Sequence, residues 1–193
     1  MRRILFFFVV LATIALATSS QAATATKEWT FMVYLDADNN LEPDSIDDFK
    51  EMAKIGSDGN INIVIQYDRA PGYSTANGDW KDTRRFLVKK GDTPGSTPLE
   101  KLGELNMGSR ETFADFVTWA MTNYPARKYA LVLWNHGGGW RRPKALGAAG
   151  ARAKVHKAIC WDETSSDACL YMVDVQQGIK SAETTTGKRV HLV

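Results

Sequence analysis

The chain has 193 residues, of which 44% are hydrophobic, and its formal net charge is +2. This length suits one domain with a substantial core. Arg2 and Arg3 account for the excess positive charge, so residues 23–193 are formally neutral and their charge gives no indication of nucleic-acid binding. The two cysteines are too few for a small exported domain that depends on disulfides.

Residues 1–22 have the pattern of a secretory signal peptide. Arg2 and Arg3 precede an apolar run over 4–17, and small residues at Ser20 and Ala22 suit a cleavage site. The apolar run of about 14 residues is shorter than the roughly 20 that a membrane span needs, so we expect no stable membrane anchor. The sequence therefore predicts a secreted or periplasmic protein.

The remaining sequence alternates between predicted strands and helices. In chain order we expect a strand at 29–35, a helix at 44–55, a strand at 61–68, a loop at 69–82, a polar strand at 83–90 in a hairpin or at an edge, and a loop at 91–108. Next come a helix capped by Ser109 and ended by Pro125, a strand at 128–135, a basic loop at 141–157, a short strand at 158–163, a helix at 170–182 and the start of a strand at 190–193. This order predicts an α/β sheet with helices on both faces.

A histidine and three glycines follow the strand at 128–135. Reactive groups gather at the carboxyl ends of strands in such sheets, and His136 falls at that position. A histidine there can serve as a general base, and glycine N–H groups can face an oxyanion. A tight turn with an incidental histidine is the alternative interpretation.

Two enzyme classes use this motif. In lipases and esterases the glycines form an oxyanion loop and a serine in G-x-S-x-G is the nucleophile, but this sequence has no G-x-S-x-G. The other class is the clostripain-like cysteine peptidases, which are related to caspases and gingipains. The chain resembles them in WTFMVYLDADNNLE (29–42), INIVIQYDR (61–69), KYALVLWNHGGGW (128–140) and ICWDETSSDACLYMVDVQQGI (159–179).

The resemblance implies a caspase-like αβα sandwich with a mostly parallel central sheet. It implies a cysteine endopeptidase with a Cys-His dyad that acts on protein or peptide substrates and cuts after Arg or Lys. His136 would be the dyad histidine, and Gly137 would offer its N–H to the oxyanion. Some relatives use calcium, so the resemblance also makes calcium a candidate cofactor.

The nucleophile is less easily placed. The family string Asp-Ala-Cys-Leu occurs at 167–170, which makes Cys169 a candidate. In the family, however, the nucleophile follows the fourth core strand, whereas Cys169 is expected in a loop before a helix. The fourth strand is expected to begin at Val190. We therefore expect 23–193 to be the N-terminal part of a peptidase domain, truncated at that strand, with the nucleophile beyond Val193 and the missing C-terminal part as its partner.

Two alternatives remain for the cysteines. In the first, Cys169 is the nucleophile. In the second no thiol chemistry occurs, the chain is an inactive peptidase-like fragment or interaction module, and Cys160 and Cys169 are ordinary buried residues. A disulfide between them is also compatible with their spacing.

The remaining motifs concern processing and metals. The basic stretch 141–157 is either a mobile surface loop or a site of self-processing near Arg152 or Lys154. Residues 36–41 begin like a calcium loop but lack its glycine and its bidentate glutamate, so we expect no EF-hand. His156 and His191 are isolated, so we expect no zinc site.

Overall fold

The structure, a computed structural model, describes residues 26–137 and 158–193. The predicted signal peptide at 1–22 and the basic stretch 141–157, with Arg152 and Lys154, lie outside the described residues. Within the described residues no helix is long and apolar enough to cross a membrane.

The described residues form seven strands and three helices. The strands are β1 (Lys27–Ala37), β2 (Ile61–Arg69), β3 (Thr83–Leu87), β4 (Glu100–Gly103), β5 (Ala126–Trp134), β6 (Ala158–Asp162) and β7 (Ala168–Tyr171). The helices are α1 (Glu42–Ile55), α2 (Arg110–Asn123) and α3 (Met172–Thr186), and a short 3₁₀ turn spans Ala76–Gly78.

Five strands form the main sheet in the order β4-β3-β2-β1-β5. β1 lies between β2 and β5 and is parallel to both, with Val33 level with Ile65 and Val132. β3 and β4 add an antiparallel extension on the far side of β2. β6 and β7 form a separate antiparallel hairpin.

Alternate side chains of β1 enter two different cores because successive residues of a strand point to opposite faces. Met32 and Tyr34 belong to the core that α2 and α3 cover. Val33 and Leu35 belong to the core that Phe49 of α1 covers. Helices therefore cover both faces of the sheet, which confirms the predicted αβα sandwich. Its parallel part consists of the three strands β2, β1 and β5.

The predicted helix cap at Ser109 is confirmed. Its side chain accepts hydrogen bonds from the backbone N–H groups of Glu111 and Thr112, at 3.2 and 3.4 Å. This contact satisfies donors that lack partners within the first turn of α2.

Two predictions for the loops were wrong. The segment 91–108 contains β4, so β4 and not β3 forms the edge of the sheet. β3 takes the other expected place, antiparallel to the preceding strand β2. Cys169 lies in β7, opposite Trp161, and not in a loop. Both missed strands have only four residues, and β4 reads EKLG, so neither presents the apolar alternation that marks a longer strand.

Candidate active site

His136 lies just beyond the carboxyl end of β5 and is exposed. Its Nε2 atom is 2.9 Å from Oδ1 of Asn40, in the loop after β1. An amide oxygen only accepts hydrogen bonds, so Nε2 is the donor in this contact. In the neutral ring this arrangement leaves the lone pair of Nδ1 available to take a proton.

The exit of β5 is anchored to β1 and β6 through Asn135. Its Nδ2 donates to Oδ2 of Asp36 at 2.6 Å and to the backbone oxygen of Trp161 at 2.9 Å. Asn39 donates to the same Trp161 oxygen at 3.4 Å and to the backbone oxygen of Asp36 at 3.2 Å. The residues that directly precede His136 and Asn40 are thus joined through Asp36 and Trp161.

Gly137 forms an isolated antiparallel bridge with Ile159 of β6. Among the described residues, apart from Gly137 and its neighbours in the chain, no atom lies within 4 Å of the position that a Cβ on Gly137 would take. Gly138, Gly139 and Trp140 lie outside the described residues.

Neither cysteine shows the features of an activated thiol. Cys160 is fully buried, and burial raises its pKa well above the usual range. Cys169 is half-buried; burial is also the main cause that raises its pKa, and the charge of Asp174 adds to the effect. Both thiols are free. In the described part of the chain, the side-chain hydrogen bond of His136 goes to Asn40, and none joins it to a cysteine.

The C-terminal residues run along the outer edge of β5. Leu192 forms an isolated parallel bridge with Ala130, and its carbonyl accepts from the N–H of Leu131 at 2.9 Å. His191 donates its N–H to the backbone oxygen of Tyr129 at 2.8 Å. The segment predicted as a fourth strand is therefore a single parallel bridge at the expected place, next to the strand that leads to His136.

Four carboxylates meet beside this framework: Asp38 after β1, Asp68 in β2, Glu104 after β4 and Asp162 in β6. One oxygen from each lies within 4.8 Å of the others. Burial raises the pKa of Asp38 to about 6. Burial, followed by the charge of Glu104, raises the pKa of Asp68 well above the usual range.

Sequence reasoning missed this acidic cluster and the anchoring asparagines. Asp38 was noted only as part of an incomplete calcium loop. A further signal was available, because Asp68 stands near the carboxyl end of a second buried strand. Such ends meet at one edge of a parallel sheet, so the position of Asp68 was a signal that could have placed it beside Asp38.

Comparisons with known proteins agree on one family. The profile of the clostripain family, peptidase C11, matches residues 33–188. Clostripain from Hathewaya histolytica is 31% identical over 186 residues, which cover 86% of this chain and 34% of that protein. The chain thus spans about a third of the length of this curated relative.

Solved structures resemble the fold. A secreted C11 cysteine protease from Bacteroides thetaiotaomicron, in complex with an irreversible peptide inhibitor, aligns with a TM-score of 0.53 and 15% identity over 80% of this chain and 39% of that one. A second structure of a secreted C11 cysteine protease from the same organism, iotapain, aligns with a TM-score of 0.54 and 14% identity over 87% of this chain and 46% of that one. At these identities the likeness supports the caspase-like fold alone.

Proposed function

This chain belongs to the clostripain family of cysteine peptidases, and we propose that it forms the histidine-bearing part of a secreted endopeptidase that cuts after Arg or Lys. The family implies protein or peptide substrates. The observation that carries the proposal is the position of His136, at the carboxyl end of the parallel strand β5 and next to the edge where Leu192 pairs.

We assign His136 the role of general base and acid. In thiol catalysis the histidine takes the proton of the thiol, and the resulting thiolate attacks the carbonyl carbon of the substrate. The histidine then gives that proton to the leaving amine, and water hydrolyses the acyl-enzyme. The bond from Nε2 to Asn40 supports this role because it leaves Nδ1 as the basic nitrogen.

Gly137 is proposed as a donor to the oxyanion that forms during attack. Its N–H follows His136 directly, and no described residue beyond its chain neighbours lies within 4 Å of the position of a Cβ on Gly137. A backbone donor at that point would stabilise the negative charge on the carbonyl oxygen as it develops.

We propose that the nucleophile is a cysteine on a continuation of the segment that contains Leu192, and not Cys169. A strand that continued the parallel bridge between Leu192 and Ala130 would run along β5 toward His136. Cys169 instead lies in the β6–β7 hairpin, and its raised pKa reduces the thiolate fraction at neutral pH.

The proposal has three further parts. The enzyme cuts after Arg or Lys, residues 1–22 direct its secretion, and it is processed at Arg152 or Lys154. They rest on the resemblance and on the sequence pattern of the amino terminus. An acidic group in the first specificity pocket would supply the preference for a basic residue.

A catalytically inactive peptidase-like fragment is the second candidate function. The observation that favours it is the chemistry of the thiols, since Cys160 is buried and both pKa values are raised. A serine esterase that uses the glycine-rich loop for its oxyanion is the third candidate. The family match favours both the active peptidase and the inactive peptidase-like fragment over it.

The deciding experiment begins with the coding DNA beyond codon 193. The protein encoded by the full reading frame is then treated with an arginyl peptide that carries a thiol-reactive group, and the modified residue is identified by mass spectrometry. We expect modification of a cysteine beyond Val193. Hydrolysis of an arginyl substrate should fall by about 10²- to 10⁴-fold in His136→Ala and remain in Cys169→Ala. Modification of Cys169 would contradict the assignment, and an absence of labelling and hydrolysis would favour the inactive fragment.

A further inference from the structure

The two cysteines lie on the two strands of one hairpin. Cys160 is in β6 and Cys169 is in β7, and these strands pair antiparallel. Ile159 pairs with Leu170, and Trp161 pairs with Cys169, so the register skips Cys160, which is the extra residue of a β-bulge. In a bulge two residues of one strand oppose a single residue of the other. Cys160 and Trp161 therefore both lie opposite Cys169.

This placement suits a disulfide. Facing residues of antiparallel strands have Cα atoms about 4.5–5.5 Å apart, and disulfides join residues whose Cα atoms are about 4.4–6.8 Å apart. The electrostatics agree with this spacing. Burial raises the pKa of Cys160, and the charges of Asp36 and Cys169 raise it further, so the thiol of Cys169 lies within electrostatic reach of Cys160.

The backbone of Cys160 is strained. Its φ angle is +60°, in the left-handed region, which residues other than glycine, asparagine and aspartate rarely adopt. In bulges with this conformation the first residue is typically glycine. A strained residue points to a function. Glycine would relieve the strain here, and the group that it lacks is the thiol.

The two thiols differ in their access to an oxidant. Cys160 is fully buried and Cys169 is half-buried. An oxidant from solution therefore reaches Cys169 first, and Cys160 reacts with a partner inside the protein. The 193 residues contain no other cysteine. Both thiols are free in the structure, which is the reduced form of the pair.

We propose that Cys160 and Cys169 form a disulfide when the protein meets a small disulfide oxidant such as oxidised glutathione. The thiolate of Cys169 attacks one sulfur of the oxidant, which gives a mixed disulfide and releases one glutathione thiolate. The thiolate of Cys160 then attacks the sulfur of Cys169, and the second glutathione thiolate leaves. The two cysteines are oxidised, one glutathione disulfide is reduced to two thiols, and the two cysteine protons pass to them.

The disulfide would join the hairpin strands beside the framework that holds the exit of β5. Trp161 lies opposite Cys169, and its backbone oxygen accepts hydrogen bonds from Asn39 and Asn135. Eight residues separate the two cysteines, and closing this loop restricts the unfolded chain, so oxidation stabilises the fold. The reaction suits the oxidising compartments of exported proteins. It does not depend on the proposed peptidase activity.

The test is peptide mapping after oxidation. The reduced protein is incubated with oxidised and reduced glutathione in mildly alkaline buffer, unfolded in N-ethylmaleimide and digested with trypsin. No lysine or arginine lies between Lys157 and Lys180, so both cysteines fall in the peptide 158–180. We expect this peptide to be two hydrogens lighter than its reduced form and to carry no maleimide. Cleavage after Glu163 should then give two fragments that only the disulfide joins.

Thermal unfolding provides a second measurement on the wild type. We expect the oxidised protein to melt roughly 5 °C above the protein in dithiothreitol. Cys169→Ser changes a half-buried residue and should melt at the same temperature in both conditions. The matched control combines Cys169→Ser with Ala168→Cys, which moves the thiol to the other face of β7 and should give no disulfide.

Three results of peptide mapping would overturn the proposal. They are maleimide on both cysteines after oxidation, a stable mixed disulfide of Cys169 with glutathione, and a disulfide between two copies of the chain through Cys169. A disulfide of equal yield in the matched control would overturn the argument from register. An unchanged melting temperature on oxidation would overturn the stabilising role. None of these measurements uses peptide hydrolysis, so they stand apart from the test of the proposed function.

Discussion

The side chain of Asn40 accepts a hydrogen bond from Nε2 of His136 across 2.9 Å, although the two residues are 96 positions apart in the sequence. This contact joins the loop after β1 to the end of β5. It determines which ring nitrogen of the histidine carries the proton, because the amide oxygen can only accept.

Replacing Asn40 by alanine should shift the tautomer equilibrium of His136. The lost bond is worth about 1 kcal/mol, which corresponds to roughly a fivefold change in the ratio of the two neutral tautomers. Nitrogen chemical shifts of the imidazole rings, recorded by NMR in alkaline solution, measure this ratio.

His191 provides an internal control for that experiment. Its Nδ1 accepts from the backbone N–H of Tyr129 at 3.2 Å, far along the chain from Asn40. Its shifts should be the same in wild type and Asn40→Ala. An unchanged His136 spectrum in the variant would show that Asn40 does not position the ring.

Asn135→Ala should destabilise the fold through Asp36. The substitution removes the donor to a carboxylate that is completely buried and leaves that oxygen without a partner. We expect a loss of about 1–3 kcal/mol in the free energy of unfolding, measured with urea. Asn123→Ala, at an exposed helix position where the amide donates to the backbone oxygen of Trp119, should change it by no more than about 0.5 kcal/mol. Equal effects of the two substitutions would contradict the anchoring role of Asn135.

The two thiols should differ in their reaction with iodoacetamide. Cys169 is half-buried and should react slowly in the native protein, whereas Cys160 should react only after unfolding. Because the thiolate is the reacting form and the pKa of Cys169 is raised, its rate at pH 7 to 8 should fall below that of a free cysteine peptide. The rate should continue to rise with pH beyond the range in which the peptide levels off.

Mass spectrometry after timed alkylation gives both rates. A Cys169 that reacts faster than the peptide at neutral pH would contradict this prediction. It would also make Cys169 a nucleophile candidate again, so the experiment bears directly on the proposed site.

Glu42→Gln should be strongly destabilising. Glu42 and Arg69 form a fully buried ion pair, with 2.5 Å between Oε1 of Glu42 and Nε of Arg69. Removing one charge leaves the guanidinium buried without its counterion, at an expected cost of about 3–5 kcal/mol. The matched control is Glu51→Gln, which breaks an exposed pair with Lys54 and should cost less than about 1 kcal/mol. Urea unfolding of both variants measures the difference, and a loss below about 1 kcal/mol for Glu42→Gln would contradict the prediction.

The main elements could be predicted from the sequence because their patterns are local. The apolar runs at 29–35 and 61–68 are typical of strands buried on both faces, and both lie inside observed strands. The short β4 was missed because it has only four residues, two of them charged, and so carries no periodic signal. β7 is equally short, and its strand conformation depends on pairing with β6, which the sequence does not show.

By itself the sequence determined the α/β architecture, the place of His136 after a strand of the sheet and the resemblance to one peptidase family. Hydrophobic periodicity and short motifs are properties of neighbouring residues, so they can be read along the chain. Only the tertiary structure decided that Asn40 meets His136 and that Asp38 and Asp68 meet Asp162. Those contacts depend on strand order, register and the folding of a hairpin over the sheet, which bring together side chains that are distant in sequence.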